Sequence, residues 1–316
     1  MAEKQQSAST INVVLAFAIV YVVWGSTYFF IQKAVHSFPP FMLGAIRFMA
    51  AAGIMLVWCI LKKEKVFTLK QIKHAVVGGF LLLFIGNGAV IWVEQFMPSA
   101  VVAIMVSSSP LWFVLLDKPK WSENLKSRST IAGLLFGFVG ICLLFYRSLI
   151  ALFDGNSSVE TGGMLIVTLA AASWAGGSLY SKYYSTGSSA IVNSTWQMLA
   201  AATAFSIGSL INNEPANFVL ASVTTEAWLS LVYLVIFGSI AGFSAYVWLL
   251  SVRPATQVST YAYVNPVVAV LLGVLFANEH VSSLQIAGLA VILISVMMIN
   301  LAKYRKQRSV SVVEKS

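Results

Sequence analysis

Two charged residues, Arg47 and Glu94, stand within or near the end of long apolar stretches of the sequence. An unpaired charge inside a bilayer is costly, so such residues usually face an aqueous cavity or pair with one another. Both are expected near the outer leaflet. They therefore predict an ion pair, or a site that binds substrate or couples transport to a proton. The alternatives are a purely structural pair and an arginine that extends its guanidinium to the headgroups.

Aromatic and amide side chains recur in the same apolar stretches and predict a binding cavity for a small solute. Aromatic faces bind apolar or cationic groups, and amides supply hydrogen bonds. The alternative is that Trp and Tyr anchor helices at the membrane interface, as Trp121 and Trp228 near helix ends would do. Together with Arg47, the predicted cavity residues are Trp24, Tyr28, Asn87, Trp92, Trp174, Gln197, Tyr246, Trp248, Tyr261 and Asn265.

Pro110 and Pro266 lie near the middle of two apolar stretches. Proline removes a backbone donor and clashes with the preceding turn, so each is expected to kink its helix and to free carbonyl groups. We predict a hinge or a cavity-lining break there; a structural kink satisfied by neighbouring helices is the alternative. His36, His74 and His280 lie at the ends of stretches without a matching ligand cluster, so no metal site and no cofactor are predicted.

The elements that position these residues must be membrane-spanning helices. Of the 316 residues, 59% are hydrophobic and only 10% are charged, whereas soluble domains have about 25% charged residues. A spanning helix needs about 20 mostly apolar residues. Ten such stretches are present, at residues 11–35, 40–61, 74–96, 99–116, 129–146, 163–183, 190–211, 227–252, 255–277 and 281–302. The sequence therefore predicts an all-α integral membrane protein.

The basic residues lie in short loops between these stretches, which argues against nucleic acid as a partner and favours lipid headgroups. Lysine and arginine collect in alternate loops, and the positive-inside rule then places both termini in the cytoplasm. We predict an N-terminal tail at 1–10, a first repeat at 11–146, a linker at 147–162, a second repeat at 163–302 and a basic tail at 303–316.

The sequence repeats itself across its two halves. Three scarce residues recur at one offset of 156 positions (248 minus 92): Trp92, Pro98 and Pro110 return as Trp248, Pro254 and Pro266. Arg47 and Gln197 each stand 23 positions after Trp24 and Trp174 (47 minus 24, 197 minus 174). Each half has five spans, an odd number, so the halves must insert with opposite orientations. Such inverted repeats favour alternating access, because exchanging the conformations of the halves exchanges the two open states.

Several of these residues form a familiar pattern: Trp24-Gly25-Ser26-Thr27-Tyr28, the paired Pro110 and Pro266, and Asn278-Glu279. The pattern resembles the EamA-type transporters of the drug/metabolite transporter superfamily, over nearly the whole chain. The resemblance implies two five-helix units with a central cavity, and outward transport of amino acids, related metabolites or drug-like solutes. The second half departs from it, since Ala175-Gly176-Gly177 replaces Gly25-Ser26-Thr27.

We therefore predict a secondary transporter of a small molecule, multi-pass in a bacterial inner membrane, and no enzyme. A membrane-embedded enzyme acting on lipid precursors is one alternative, but the spans lack a convergent cluster of acids, His or a nucleophile, and no ATP-binding G-x-x-x-x-G-K-[ST] loop is present. A channel is another. Glycine pairs such as Gly133 and Gly137 allow close helix approach, within the chain or in a homodimer. Facilitated exchange and proton antiport both stay open, with Glu94 as the candidate acid.

Overall fold

A computed structural model describes residues 9–124, 126–153, 159–184, 189–295 and 297–298. Ten long helices follow one another in these residues: α1 (Thr10–Val35), α2 (Pro40–Leu61), α3 (Leu69–Val93), α4 (Ser99–Leu116), α5 (Arg128–Phe153), α6 (Val159–Tyr184), α7 (Ala190–Ile211), α8 (Thr225–Val252), α9 (Tyr261–Phe276) and α10 (Ser283–Ser295). The predicted all-helical membrane fold is confirmed. Residues 1–8 of the predicted N-terminal tail, residues 154–158 of the predicted linker and the whole predicted basic tail at 303–316 lie outside the described residues.

Six of these helices, within the described part of the chain, are long and apolar enough to cross a membrane: α1, α2, α3, α4, α6 and α8. Shorter apolar stretches stand in α5, α9 and α10. The 22 residues of α7 include the buried polar side chains of Asn193, Thr195 and Gln197, which lower its hydropathy. Because helix α7 packs along α2, these polar groups face protein and not lipid.

The packing of the helices follows the repeat. Helix α1 packs against α8 and α9, and its counterpart α6 packs against α3 and α4, the counterparts of α8 and α9. Counterparts also meet each other, since α2 packs along α7 and α4 packs along α9. Exchanging the two halves leaves this set of neighbours unchanged. The chain is therefore built as two inverted five-helix repeats about one pseudo-twofold axis.

Helices α3 and α8 depart from α-helical geometry at equivalent places. Phe80–Asn87 in α3 and Leu234–Phe243 in α8 are π-helical, and their last residues are 156 positions apart (243 minus 87). π-Helical turns are rare and occur frequently at functional sites. The apolar pattern of the sequence does not predict them, because it does not reveal which carbonyl each amide will reach.

The predicted hinge prolines lie beside breaks in their helices. Helix α4 is interrupted by a turn at 107–108, and Pro110 stands in the first turn of the segment that follows, where proline is well tolerated. Pro266 lies inside α9, which begins at Tyr261 after a turn at 259–260. Both breaks therefore precede the prolines. A hinge at these positions stays a prediction.

Candidate solute-binding cavity

A cavity lies at the centre of the bundle, between the two halves. Helices α1, α2, α3 and α4 of the first half and α6, α8 and α9 of the second line it. The cavity is narrow, with a volume of about 60 Å³. Seven of the predicted cavity residues line it: Trp24, Tyr28, Arg47, Asn87, Trp174, Tyr261 and Asn265. Their role in binding stays a prediction.

The other four predicted residues lie elsewhere. Trp92 is 38% exposed and packs against Phe96; five residues after Asn87, it lies on another side of α3, because each α-helical residue turns the chain by about 100°. Trp248 follows Tyr246 by two residues, so it too lies on another side of its helix, α8. It is half-buried and packs against the core.

Tyr246 and Gln197 are both fully buried but do not line the cavity. Tyr246 lies behind the aromatic wall of the cavity, where its hydroxyl is 2.6 Å from the Ser178 hydroxyl. Gln197 donates from Nε2 to the Ser181 hydroxyl at 2.7 Å. These two residues therefore pack and support the helices around the cavity in this structure.

An aromatic cluster forms one wall of the cavity. The rings of Trp24 and Trp174, counterparts in the two halves, meet edge to face with centroids 5.3 Å apart. Tyr261 stands edge to face with Trp24 at 5.5 Å, and Tyr246 backs both indoles. The Trp24 Nε1 donates to the Gly238 carbonyl at 3.1 Å. This wall presents aromatic faces and edges that suit an apolar or aromatic group.

Arg47 provides the charge of the cavity. Its Nε donates to the Ser239 hydroxyl at 2.9 Å, and its Nη1 donates to the Asn87 side-chain carbonyl at 3.2 Å. The guanidinium thus joins the π-helical segments of α3 and α8. It also lies over the Phe48 ring, 4.8 Å from the centroid. Within the described residues Nη2 makes no hydrogen bond, so this nitrogen of the guanidinium is available to a ligand.

The approach of Arg47 to helix α8 depends on a glycine. A Cβ added at Gly238 would lie 3.1 Å from the Arg47 Nη2 and 3.0 Å from the Thr27 methyl carbon. Gly242, one turn later, has the Trp24 Nε1 only 2.5 Å from such a Cβ. The spacing of these glycines therefore brings helices α1 and α2 against α8, as expected of small residues in membrane helices.

Glu94 follows the last residue of α3, two turns beyond Asn87, and is 1% exposed. Neither of its carboxylate oxygens has a hydrogen-bond partner among the described residues. The predicted ion pair with Arg47 is not formed: in the part of the chain that the structure describes, the ion pair found joins Lys33 and Glu226 at 3.1 Å. Seven helical residues separate Glu94 from Asn87, which holds the guanidinium, or about 10 Å along the axis.

The comparison with known proteins follows the same division into halves. The sequence profile of the EamA-like transporter family matches residues 11–146 and 161–301, one match in each half. The chain belongs to this family. It is a membrane transporter and not an enzyme.

EamA-like relatives match the chain over nearly its whole length. The uncharacterized inner membrane transporter YedA of Escherichia coli strain K12 is 35% identical over 292 residues, which cover 92% of this chain and 90% of YedA. A probable amino-acid metabolite efflux pump of the same strain is 28% identical, covering 95% and 97%. A crystal structure with 19% identity superposes with a TM-score of 0.64 over 93% of this chain and 98% of that one, which supports the fold.

In this EamA-like bundle a second, wider cavity of about 500 Å³ lies beyond Glu94. We call it the Glu94 vestibule; its polar lining is Gln32, Lys33, His36, Glu94, Gln95, Asn278, Glu279 and His280. The Glu279 carboxylate accepts hydrogen bonds from the Ser99 amide (2.9 Å) and hydroxyl (2.6 Å) and from the Ala100 amide (2.8 Å). Glu279 therefore caps helix α4, although it stands next to α10 in the sequence.

The opposite end of the bundle, which we call the Lys182 end, is joined by different contacts. The Lys182 ammonium donates to the carbonyls of Leu250 (2.8 Å) and Arg253 (2.7 Å), groups that the end of α8 leaves without helical partners. The Tyr183 hydroxyl donates to Asp117 at 2.6 Å. These bonds tie α6 to the ends of α8 and α4.

The sequence patterns miss several cavity residues that the structure reveals. Ser239 and Gly238 contact the guanidinium, and Thr27 lines the cavity beside Tyr28. A Gly-Ser pair inside an apolar stretch is a weak signal, since small residues are common where membrane helices pack. Its proximity to Arg47 becomes visible only when α2 and α8 are brought together.

Proposed function

We propose that this EamA-like protein exports a small metabolite that bears a carboxylate, an amino acid or a related compound, and that the central cavity binds it. The observation that carries the proposal is the Arg47 guanidinium, which faces the cavity with Nη2 unbonded among the described residues. Within the described residues no acidic side chain lines this cavity. An anionic group on the solute is therefore the natural partner of the charge.

The chemistry of the walls supports this choice of solute. A guanidinium binds a carboxylate through charge-assisted hydrogen bonds that fix its geometry. The faces of Trp24 and Trp174 can pack against an apolar side chain and also attract an ammonium group. Asn87 and Asn265 offer amide groups at the same cavity. An amino acid with an apolar side chain would satisfy all three kinds of contact, and the name of the efflux-pump relative supports the same class.

Alternating access is the mechanism that the architecture supports. A cavity this narrow must widen before a solute of amino-acid size enters it. The contacts of α2 with α7 and of α4 with α9 lie on the pseudo-twofold axis, so the halves can rock about them without losing them. We propose residues 11–146 and 163–302 as the two moving units and residues 147–162 as their linker.

The orientation of the protein in the membrane follows from its loops. Lysine and arginine collect at the Lys182 end, which makes that end cytoplasmic, together with both termini. The Glu94 vestibule then faces the outside. A bacterial inner membrane is the proposed location, in keeping with the name of YedA. Solute would enter the cavity from the Lys182 end and leave through the vestibule.

The test is transport by the full chain reconstituted in lipid vesicles, with radiolabelled L-phenylalanine as the probe. We expect uptake that saturates with concentration and is accelerated by unlabelled phenylalanine on the opposite side. 3-Phenylpropionate, which keeps the carboxylate, should compete, whereas phenethylamine, which lacks it, should not. Linear uptake without acceleration would indicate a channel, and competition by the amine alone would overturn the assignment of Arg47 as the carboxylate-binding group.

A further inference from the structure

We propose that Glu94 is a proton-binding site, and that one proton entering through the Glu94 vestibule drives the export of one solute molecule. The protonation of Glu94 stands on the geometry around it alone. The direction of the coupling rests on the proposed function. The two parts can be tested separately.

The surroundings of Glu94 differ from those of Glu279 and Glu214, two other carboxylates at this end of the bundle. Glu279 accepts three hydrogen bonds from the start of α4, and Glu214 accepts hydrogen bonds from the amides of Phe41 (3.2 Å) and Met42 (2.7 Å) at the start of α2. Glu94 is 1% exposed, and both of its oxygens lack a partner among the described residues. A buried ionised carboxylate without partners is strongly unfavourable, so this closed arrangement favours the neutral acid.

The ionisable groups around Glu94 do not remove this cost. They come from every element packed near it: Tyr28 and Lys33 on α1, His36 directly after α1, Arg47 on α2, Glu160 on α6, and Glu279 and His280 between α9 and α10. Lys33 already pairs with Glu226 at 3.1 Å. Arg47 is held by Asn87 and Ser239, and Glu279 adds a like charge. Within the described residues no cation lies within ion-pair distance of Glu94.

A residue that couples transport to a proton must be reached in turn from the two sides of the membrane, and the position of Glu94 allows this. Glu94 lines the Glu94 vestibule. Val90, four residues earlier and thus one turn away on the same face of α3, lines the central cavity together with Tyr28. A short movement of α3 against α1 would therefore expose the carboxyl to the cavity in place of the vestibule.

The proton balance of the cycle is simple. When the vestibule is open, a hydronium ion gives its proton to a Glu94 oxygen, an O–H bond forms, and water remains. The neutral carboxyl can then be enclosed without a partner as the outer end closes. When the Lys182 end opens, the O–H bond breaks and the proton passes to cytoplasmic water, while solute binds beside Arg47. Each cycle moves one proton inward and one solute outward.

The first experiment tests protonation without any solute. Infrared difference spectra of the full chain in lipid vesicles, recorded between acidic and alkaline buffer, should show the C=O band of a protonated, water-excluded carboxyl. The band should be lost in Glu94→Gln, shifted in Glu94→Asp and unchanged in Glu160→Gln, which neutralises an exposed acid at the same end of the bundle. A band that persists in Glu94→Gln, or no such band in the unaltered protein, overturns the proposal.

The second experiment tests coupling. In vesicles loaded with L-phenylalanine, an imposed proton gradient should accelerate release by the unaltered protein. Glu94→Gln, which stays neutral, should lose this acceleration and retain exchange of phenylalanine for phenylalanine. Acceleration that survives in Glu94→Gln would overturn the coupling. Absence of all phenylalanine transport would count against the proposed solute only, since the infrared band decides the proton site independently.

Discussion

Arg47 and Gln197 occupy equivalent positions in the two halves, yet their surroundings differ completely. The Arg47 side chain crosses to α8 and bonds to Ser239 and Asn87 at the edge of the cavity. The Gln197 side chain stays in the contact between helices and bonds to Ser181. Its backbone is packed so closely against α3 that a Cβ added at Gly79 would overlap the Gln197 carbonyl oxygen.

The difference shows that helix packing must stay equivalent in the two halves, whereas the residues that face the cavity can differ. Rocking of two inverted halves requires equivalent packing, and the matched pairing of helices and the matched π-helical segments preserve it. Recognition of a solute has no such requirement. A single cation in one half breaks the symmetry of the cavity, so we expect a solute with one carboxylate to bind in one orientation. We therefore expect substitutions at the contact of α3 with the Gln197 backbone to reduce stability, and those around Arg47 to reduce transport.

The largest effect is expected from Gly79→Ala. The added methyl group would overlap backbone atoms of Gln197, which cannot rotate away as a side chain could. We expect a loss of about 3 kcal/mol in the free energy of unfolding, at the upper end of the range for overpacking. Unfolding of the purified protein in mixed detergent micelles measures it. Gly53→Ala is the matched control, because nothing lies within 4 Å of a Cβ added there; equal losses in both variants would contradict the tight contact.

The second effect concerns transport. Arg47→Gln gives the first half the residue that the second half carries, and it removes the charge from the cavity. We expect the KM for L-phenylalanine to rise at least about tenfold, since hydrogen bonds to charged groups contribute about 1.5–3 kcal/mol. Uptake of the probe by vesicles measures it, with Lys62→Gln at an exposed helix end as the control for loss of one positive charge. An unchanged KM would mean that the carboxylate binds elsewhere.

The sequence was sufficient for the architecture, because run lengths and the Trp and Pro spacing record the spans and the repeat directly. It also placed Trp24, Arg47 and Tyr261 in spans that line the cavity. The sequence wrongly placed both Trp92 and Trp248 at the cavity. The two are counterparts, and equivalence between the halves does not reveal which face of a helix points to the cavity. The missing ion pair of Glu94 is a failure of another kind. The distance between the Glu94 carboxylate and the Arg47 guanidinium depends on which side chains bind the guanidinium, and the sequence does not reveal them.

The smallest effect compares the two indoles that meet at the pseudo-twofold axis. Trp24→Phe leaves the Gly238 carbonyl, in the π-helical segment of α8, without its side-chain donor. Trp174→Phe removes a donor from the Tyr246 hydroxyl at 3.2 Å, but that hydroxyl keeps its bond to Ser178 at 2.6 Å. We expect Trp24→Phe to be less stable by about 1 kcal/mol than Trp174→Phe, the typical net contribution of one hydrogen bond. Both variants lose similar ring area, so their difference in unfolding free energy isolates the hydrogen bond. Equal stability would show that the Gly238 carbonyl finds another donor, and that the two indoles contribute equally to the stability of the protein.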